Sequence, residues 1–126
     1  MRQYTVVIPA TISPYPERFE VSAATILCRH FKRDVRFITR TTSRTPDVII
    51  GNIRWEIKSP TGGGKRTIQH QIHRALSQSN NIVFDARRTK LPITKIRKDL
   101  RSYARDTPAI KRLLLIEKDE TVVVIK

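Results

Sequence analysis

A single cysteine, Cys28, excludes any internal disulfide. It closes the apolar-rich run Ala23–Cys28, the setting of a buried structural thiol rather than of a nucleophile. Long hydrophobic runs are missing as well. The longest, Leu113–Ile116 and Val122–Ile125, are strand-sized and far short of the ~20 residues that a membrane-spanning helix needs. The opening MRQYTVVIPATISPYPERFE has no basic segment followed by a long apolar stretch, so no signal peptide is expected. There are no internal repeats and no long linker. Acidic residues are the telling scarcity. Eleven Asp and Glu face 25 Lys and Arg, a net charge of +14 and a pI near 10.9. That balance favours a polyanionic partner, nucleic acid first.

What is present suffices for one domain. The chain has 126 residues, 39% of them hydrophobic, enough to fold around one core. The basic residues are not a tail: ten Lys and Arg lie between Arg87 and Arg112, against Asp99 and Asp106 alone, interleaved with core-type residues. This spacing predicts a folded basic face.

The periodicity predicts a short strand over Tyr4–Ile8, then a proline-containing loop. A helix is expected from Glu17 to Phe31, with Val21, Ala24, Leu27 and Cys28 on its apolar face. Strands follow over Val35–Thr39, Pro46–Ile50 and Ile53–Lys58, the last two joined through Gly51-Asn52 as a tight hairpin. A second helix over Lys65–Ser77 buries Ile68, Ile72, Ala75 and Leu76. After a strand at Asn81–Asp85, Pro92 starts a third helix that runs to about Arg105, with Ile93, Ile96, Leu100 and Tyr103 inward. Leu113–Glu117 and Thr121–Ile125 close the chain. The expected fold class is therefore α/β (α+β), a mixed sheet flanked by helices.

Gly62-Gly63-Gly64-Lys65 suggests a nucleotide-phosphate loop, but the fixed positions of that motif fail. Ser59 stands where the first glycine belongs, and Arg66 stands where a magnesium-binding hydroxyl belongs. The stretch reads instead as a strand-to-helix connector. Lys65 and Arg66, at a helix start that disfavours cations, point to phosphate contacts.

The strand before it carries more. In IRWEIK, side chains alternate, so Ile53, Trp55 and Ile57 share one face while Arg54, Glu56 and Lys58 share the other. Trp55 reads as core. A hairpin turning at Gly51-Asn52 brings Asp47 beside Glu56 and Lys58. Two carboxylates and an ammonium then converge, donors that suit magnesium and phosphodiester chemistry.

Pro46-Asp47, eight intervening residues and Glu56-Ile57-Lys58 resemble the signature of the PD-(D/E)xK nuclease superfamily. Residues 18–90 resemble more narrowly the C-terminal transfer-RNA nuclease toxin domains of contact-dependent growth-inhibition proteins. The stretches that carry this are FEVSAATILCRHFKRDVRFI, TPDVIIGNIRWEIKSP and IQHQIHRALSQSNNIVFDARR. The resemblance implies a restriction-endonuclease-like core over residues 17–90, with 1–16 as an extension and 91–126 as basic helix and closing strands. It implies a catalytic set of Glu20 (or Glu17), Asp47, Glu56 and Lys58, with Gln78 after the second helix. Asp47, Glu56, the carbonyl of Ile57 and Glu20 would hold a divalent ion, magnesium first, manganese or zinc as alternatives. An acidic immunity protein is an implied partner, and the cytoplasm of a bacterial target cell the implied place of action. The chain begins with its own Met and carries no large delivery region, so an excised toxin domain and a free-standing relative both stay open.

Other candidates are weighed on their residues. Lys65, Arg66, Arg87, Arg88, Lys90, Lys95, Lys98 and Arg101 are expected contacts to a nucleic-acid backbone. His70 and His73 have metal-pair spacing but no third ligand, and read as exposed or RNA-contacting. Gln71 and Gln78, seven apart, share one helix edge. For Gln78, a site role and a helix-end hydrogen bond both stay open. Three functions follow: a metal-dependent endoribonuclease acting on transfer RNA, a DNA endonuclease of the same fold, and a non-catalytic basic nucleic-acid-binding module.

Overall fold

The computed structural model describes residues 3–126. One seven-stranded sheet follows chain order: β1 (Val6–Val7), β2 (Val35–Phe37), β3 (Val48–Ile50), β4 (Ile53–Lys58), β5 (Asn81–Asp85), β6 (Arg112–Ile116) and β7 (Val122–Val124). β1 runs parallel to β2, and β2, β3 and β4 form an antiparallel meander. β4, β5 and β6 are parallel, and β7 returns antiparallel. Parallel neighbours need a crossover. Helix α1 (Arg18–Phe31) supplies it between β1 and β2, α2 (Thr67–Leu76) between β4 and β5, and α3 (Ile93–Asp106) between β5 and β6.

The two faces of the sheet carry two cores. α1 packs Ala24, Leu27 and Cys28 against Val35, Val48, Trp55, Ile57, Val83 and Leu114. α2 and α3 pack Ile68, Ile72, Ile96 and Leu100 against Ile82, Phe84, Leu113 and Leu115. β5 and β6 are buried on both sides, which is why they read as unbroken apolar runs. The mixed α/β sheet, the three helices, their inward faces, the buried Cys28 and the core position of Trp55 all match expectation.

Element ends differ locally. β1 is shorter than Tyr4–Ile8. β2 stops at Phe37, although Ile38 still donates its N–H to the Asp47 carbonyl at 2.9 Å. α2 begins at Thr67, not Lys65. Arg66 takes a non-helical backbone at the cap, and no side chain caps the helix. α1 starts as expected because Glu17 and Glu20 form a reciprocal capping box. At the hairpin, Gly51 has φ of 61°, a conformation that favours glycine.

Candidate functional site

Asp47 sits just before β3, and it grips β4 on both sides of Glu56. Its N–H donates to the Trp55 carbonyl at 3.1 Å, and its Oδ2 accepts the Ile57 N–H at 2.8 Å. The ladder Val48↔Trp55 ends here, and the carboxylate continues it in place of a backbone acceptor. Glu56, on the α2 face of β4, is 2% exposed. Its Oε2 lies 2.9 Å from Lys58 Nζ, and Nζ donates to Gln78 Oε1 at 2.8 Å. The structure therefore brings Asp47, Glu56, Lys58 and Gln78 into one cluster.

The electrostatics of the cluster are unbalanced. Burial, with the Asp47 carboxylate beside it, pushes Glu56 up to about 8; Lys58 opposes this without cancelling it. Without a cation Glu56 therefore favours its protonated form at neutral pH. Oε1 of Glu56 is buried and has no hydrogen-bond partner among the described residues.

Glu20 stands at the edge. Its Oε1 accepts the Glu17 N–H at 3.0 Å, and its pKa is raised by burial and, to a lesser degree, by Asp47. It shares with Asp47 a cavity of about 50 Å³, walled by Ile12–Pro16, Phe37, Ile38 and Arg40. Among the described residues, no three His, Cys, Asp or Glu side chains converge closely enough to hold a metal ion by themselves. The donors at hand are two carboxylates and backbone. N–H and C=O of one strand residue point to the same edge, so the Ile57 carbonyl faces the side on which Asp47 takes its N–H.

The expected phosphate contacts divide. Arg87 belongs to the fold: its guanidinium grips Asp85 through Nε at 2.9 Å and Nη2 at 2.8 Å, and donates to Ser22 Oγ at 2.6 Å and the Phe19 carbonyl at 3.2 Å. Asp85, fully buried, also accepts Ser59 Oγ at 3.0 Å. These bonds tie the start of α1 to the exits of β4 and β5, and commit four of the five N–H donors of the Arg87 guanidinium. Arg88 differs: it is exposed and stacked 3.8 Å over the Phe19 ring. Lys65, Arg66 and Lys90 are exposed around the glycine loop. Thr89 Oγ1 ties that loop down through the Gly62 carbonyl, and a Cβ on Gly63 would meet Lys90 Cβ at 3.2 Å. Lys95, Lys98 and Arg101 are exposed on α3, with Lys95 paired to Asp99 at 2.9 Å. His70 and His73 are exposed.

Sequence reasoning missed Arg40, whose Nη2 lies 3.8 Å from Asp47 Oδ1. It also missed Tyr15, 68% exposed on the cavity wall. Neither carries a local signal, because each reaches the site only through the folded loop that holds it.

Fold and cluster define a small mixed α/β domain with a buried acid–lysine site between β3 and β4. The chain belongs to the contact-dependent growth inhibition CdiA C-terminal domain family, whose model matches residues 44–122. Its fold is similar to that of a chain from the CdiA-CT/CdiI toxin and immunity complex from Burkholderia pseudomallei. The match has a TM-score of 0.71 at 22% identity and covers 98% of each chain. No curated protein sequence matches the chain significantly.

Proposed function

We propose that this domain is a toxin endonuclease of the PD-(D/E)xK type that hydrolyses phosphodiester bonds in transfer RNA with the help of a divalent ion, magnesium first. The observation that carries the reading is the Glu56 carboxylate, buried beside Asp47 with Oε1 unpartnered. Two buried neighbouring carboxylates facing one ammonium are expensive, and a cation between the two acids removes the cost. Asp47, Glu56 and the carbonyl of Ile57 would hold the ion, and Glu20 would reach it through water. The ion would neutralise phosphate charge and acidify a bound water.

The chain's own groups do the rest. An ammonium has three donors. Lys58 commits one to Gln78 and one to Glu56, which leaves one for the attacking water or a phosphate oxygen. Held in this way, its charge offsets the negative charge that grows as water oxygen bonds to phosphorus and the P–O bond to the leaving ribose oxygen breaks. Exposed Arg88, Lys65, Arg66, Lys90, Lys98 and Arg101 would hold the backbone of the substrate.

Transfer RNA over DNA rests on the resemblance to transfer-RNA nuclease toxins. The same resemblance, with the +14 charge, supports an acidic immunity protein as partner and the cytoplasm of a target bacterium as the place of action. The test is a digest of transfer RNA and plasmid side by side, with magnesium, manganese or zinc and with chelator. Chelator-sensitive cutting of the RNA is expected. Intact RNA under every ion contradicts the activity, and cutting of plasmid alone moves the substrate to DNA.

A further inference from the structure

The carboxyl ends of parallel strands, where the flanking helices part, are where α/β sheets bind ligands. At the ends of β4 and β5 an open groove of about 440 Å³ runs between the start of α1 and the start of α2. Ser59, directly after Lys58, forms part of its floor. Thr67, His70 and Gln71 of α2 form one wall, and Phe19 with Arg88 the other. We propose that this groove is a nucleotide subsite, seating the phosphate and sugar of the residue next to the scissile bond, with Arg88 as its phosphate clamp.

Three observations carry this. First, the lining contains no Asp or Glu, whereas hydroxyl, amide, imidazole and guanidinium groups converge there. The chemistry suits an anion with hydroxyl neighbours, and the volume suits one nucleotide. Second, the adjacent arginines are used differently. Arg87 commits four of its five N–H donors to Asp85, Ser22 and Phe19. Arg88 makes one long hydrogen bond, from Nη1 to the Ser59 carbonyl at 3.4 Å. Stacking on Phe19 at 3.8 Å fixes the plane of its guanidinium while leaving the other donors at its edge free. Third, the groove adjoins the strand that carries the cluster, since Ser59 in its lining directly follows Lys58, the last residue of β4. Gln71 of α2 lines the groove, and Gln78, seven residues on and just past the end of that helix, holds Lys58.

The inference rests on the nuclease reading for its orientation, but its test does not need cutting. Glu56→Gln serves as a non-cutting background. Single-stranded RNA and DNA oligonucleotides of one sequence are titrated by fluorescence anisotropy at several salt concentrations. Adding Arg88→Ala is expected to weaken binding about tenfold or more and to lower the salt slope by about one. Gln71→Glu is expected to weaken it more than Gln71→Ala. A loss shared by both polymers assigns the phosphate, and a larger loss for RNA adds the 2′-hydroxyl. Arg36→Ala, on the exposed face of β2, is the charge control. The subsite is overturned if Arg88→Ala matches Arg36→Ala, if Gln71→Glu matches Gln71→Ala, or if the background variant binds neither oligonucleotide. Circular dichroism melts of each variant exclude loss of fold. Failure of the nuclease reading shows separately, as uncut RNA in the wild-type digest.

Discussion

Gln78 holds Lys58 across the edge of the site, with Oε1 2.8 Å from Nζ. The two residues are twenty positions apart and meet because α2 packs back over β4. Without that amide, the ammonium keeps Glu56 as its partner but loses its fixed direction. Gln78→Ala should therefore lower kcat by about tenfold or more, with KM little changed, since the lost hydrogen bond orients a charge that acts in the transition state. Single-turnover cutting of transfer RNA measures this. An effect on KM alone would make Gln78 a binding residue instead.

Glu56 should make the metal-free protein less stable as pH rises. Its folded-state pKa stands at about 8 against an ordinary 4.5. The native state thus binds more protons than the unfolded state between these values, and stability falls as pH climbs through that window. At about 1.4 kcal/mol per pH unit, the upper limit is about 5 kcal/mol. Glu56→Gln, in chelator, should raise Tm relative to wild type above pH 8, with the gain vanishing near pH 4.5. Melting curves across that range check it, and a gain independent of pH would contradict the like-charge account.

Asp85 and Arg87 should matter to folding rather than to substrate affinity. Asp85 is fully buried, and removing one partner strands the other charge in the interior. Asp85→Ala should cost about 3–5 kcal/mol in urea denaturation. Arg87→Ala should destabilise in the same way, yet leave the salt dependence of RNA binding near wild type, unlike Arg88→Ala.

The sequence carried the hairpin and its chemistry because both are local. Gly51-Asn52 sets the turn, strand alternation places Glu56 and Lys58 on one face, and the spacing to Asp47 follows. The helices were legible from their inward faces, Ile68 with Ile72 and Ile96 with Leu100. What charge counting cannot show is where a guanidinium ends up. Arg87 and Arg88 look alike in the sequence, but only a folded β5 beside α1 puts Asp85, Ser22 and Phe19 around the first. Arg40 and Tyr15 were missed for the same reason, since their approach to Asp47 is made by loops from distant parts of the chain. The α2 start slipped by two residues because no capping side chain marks it.

The central claim is that Asp47 and Glu56 form a divalent-cation site, and calorimetric titration of the nucleic-acid-free protein with manganese and magnesium tests it most directly. The account predicts binding of one ion by the wild type, tighter at pH 8 than at pH 6 because the ion displaces the proton on Glu56, and loss of that binding in both Asp47→Asn and Glu56→Gln. No binding by the wild type, or binding by either variant as tight as the wild type's, would contradict it.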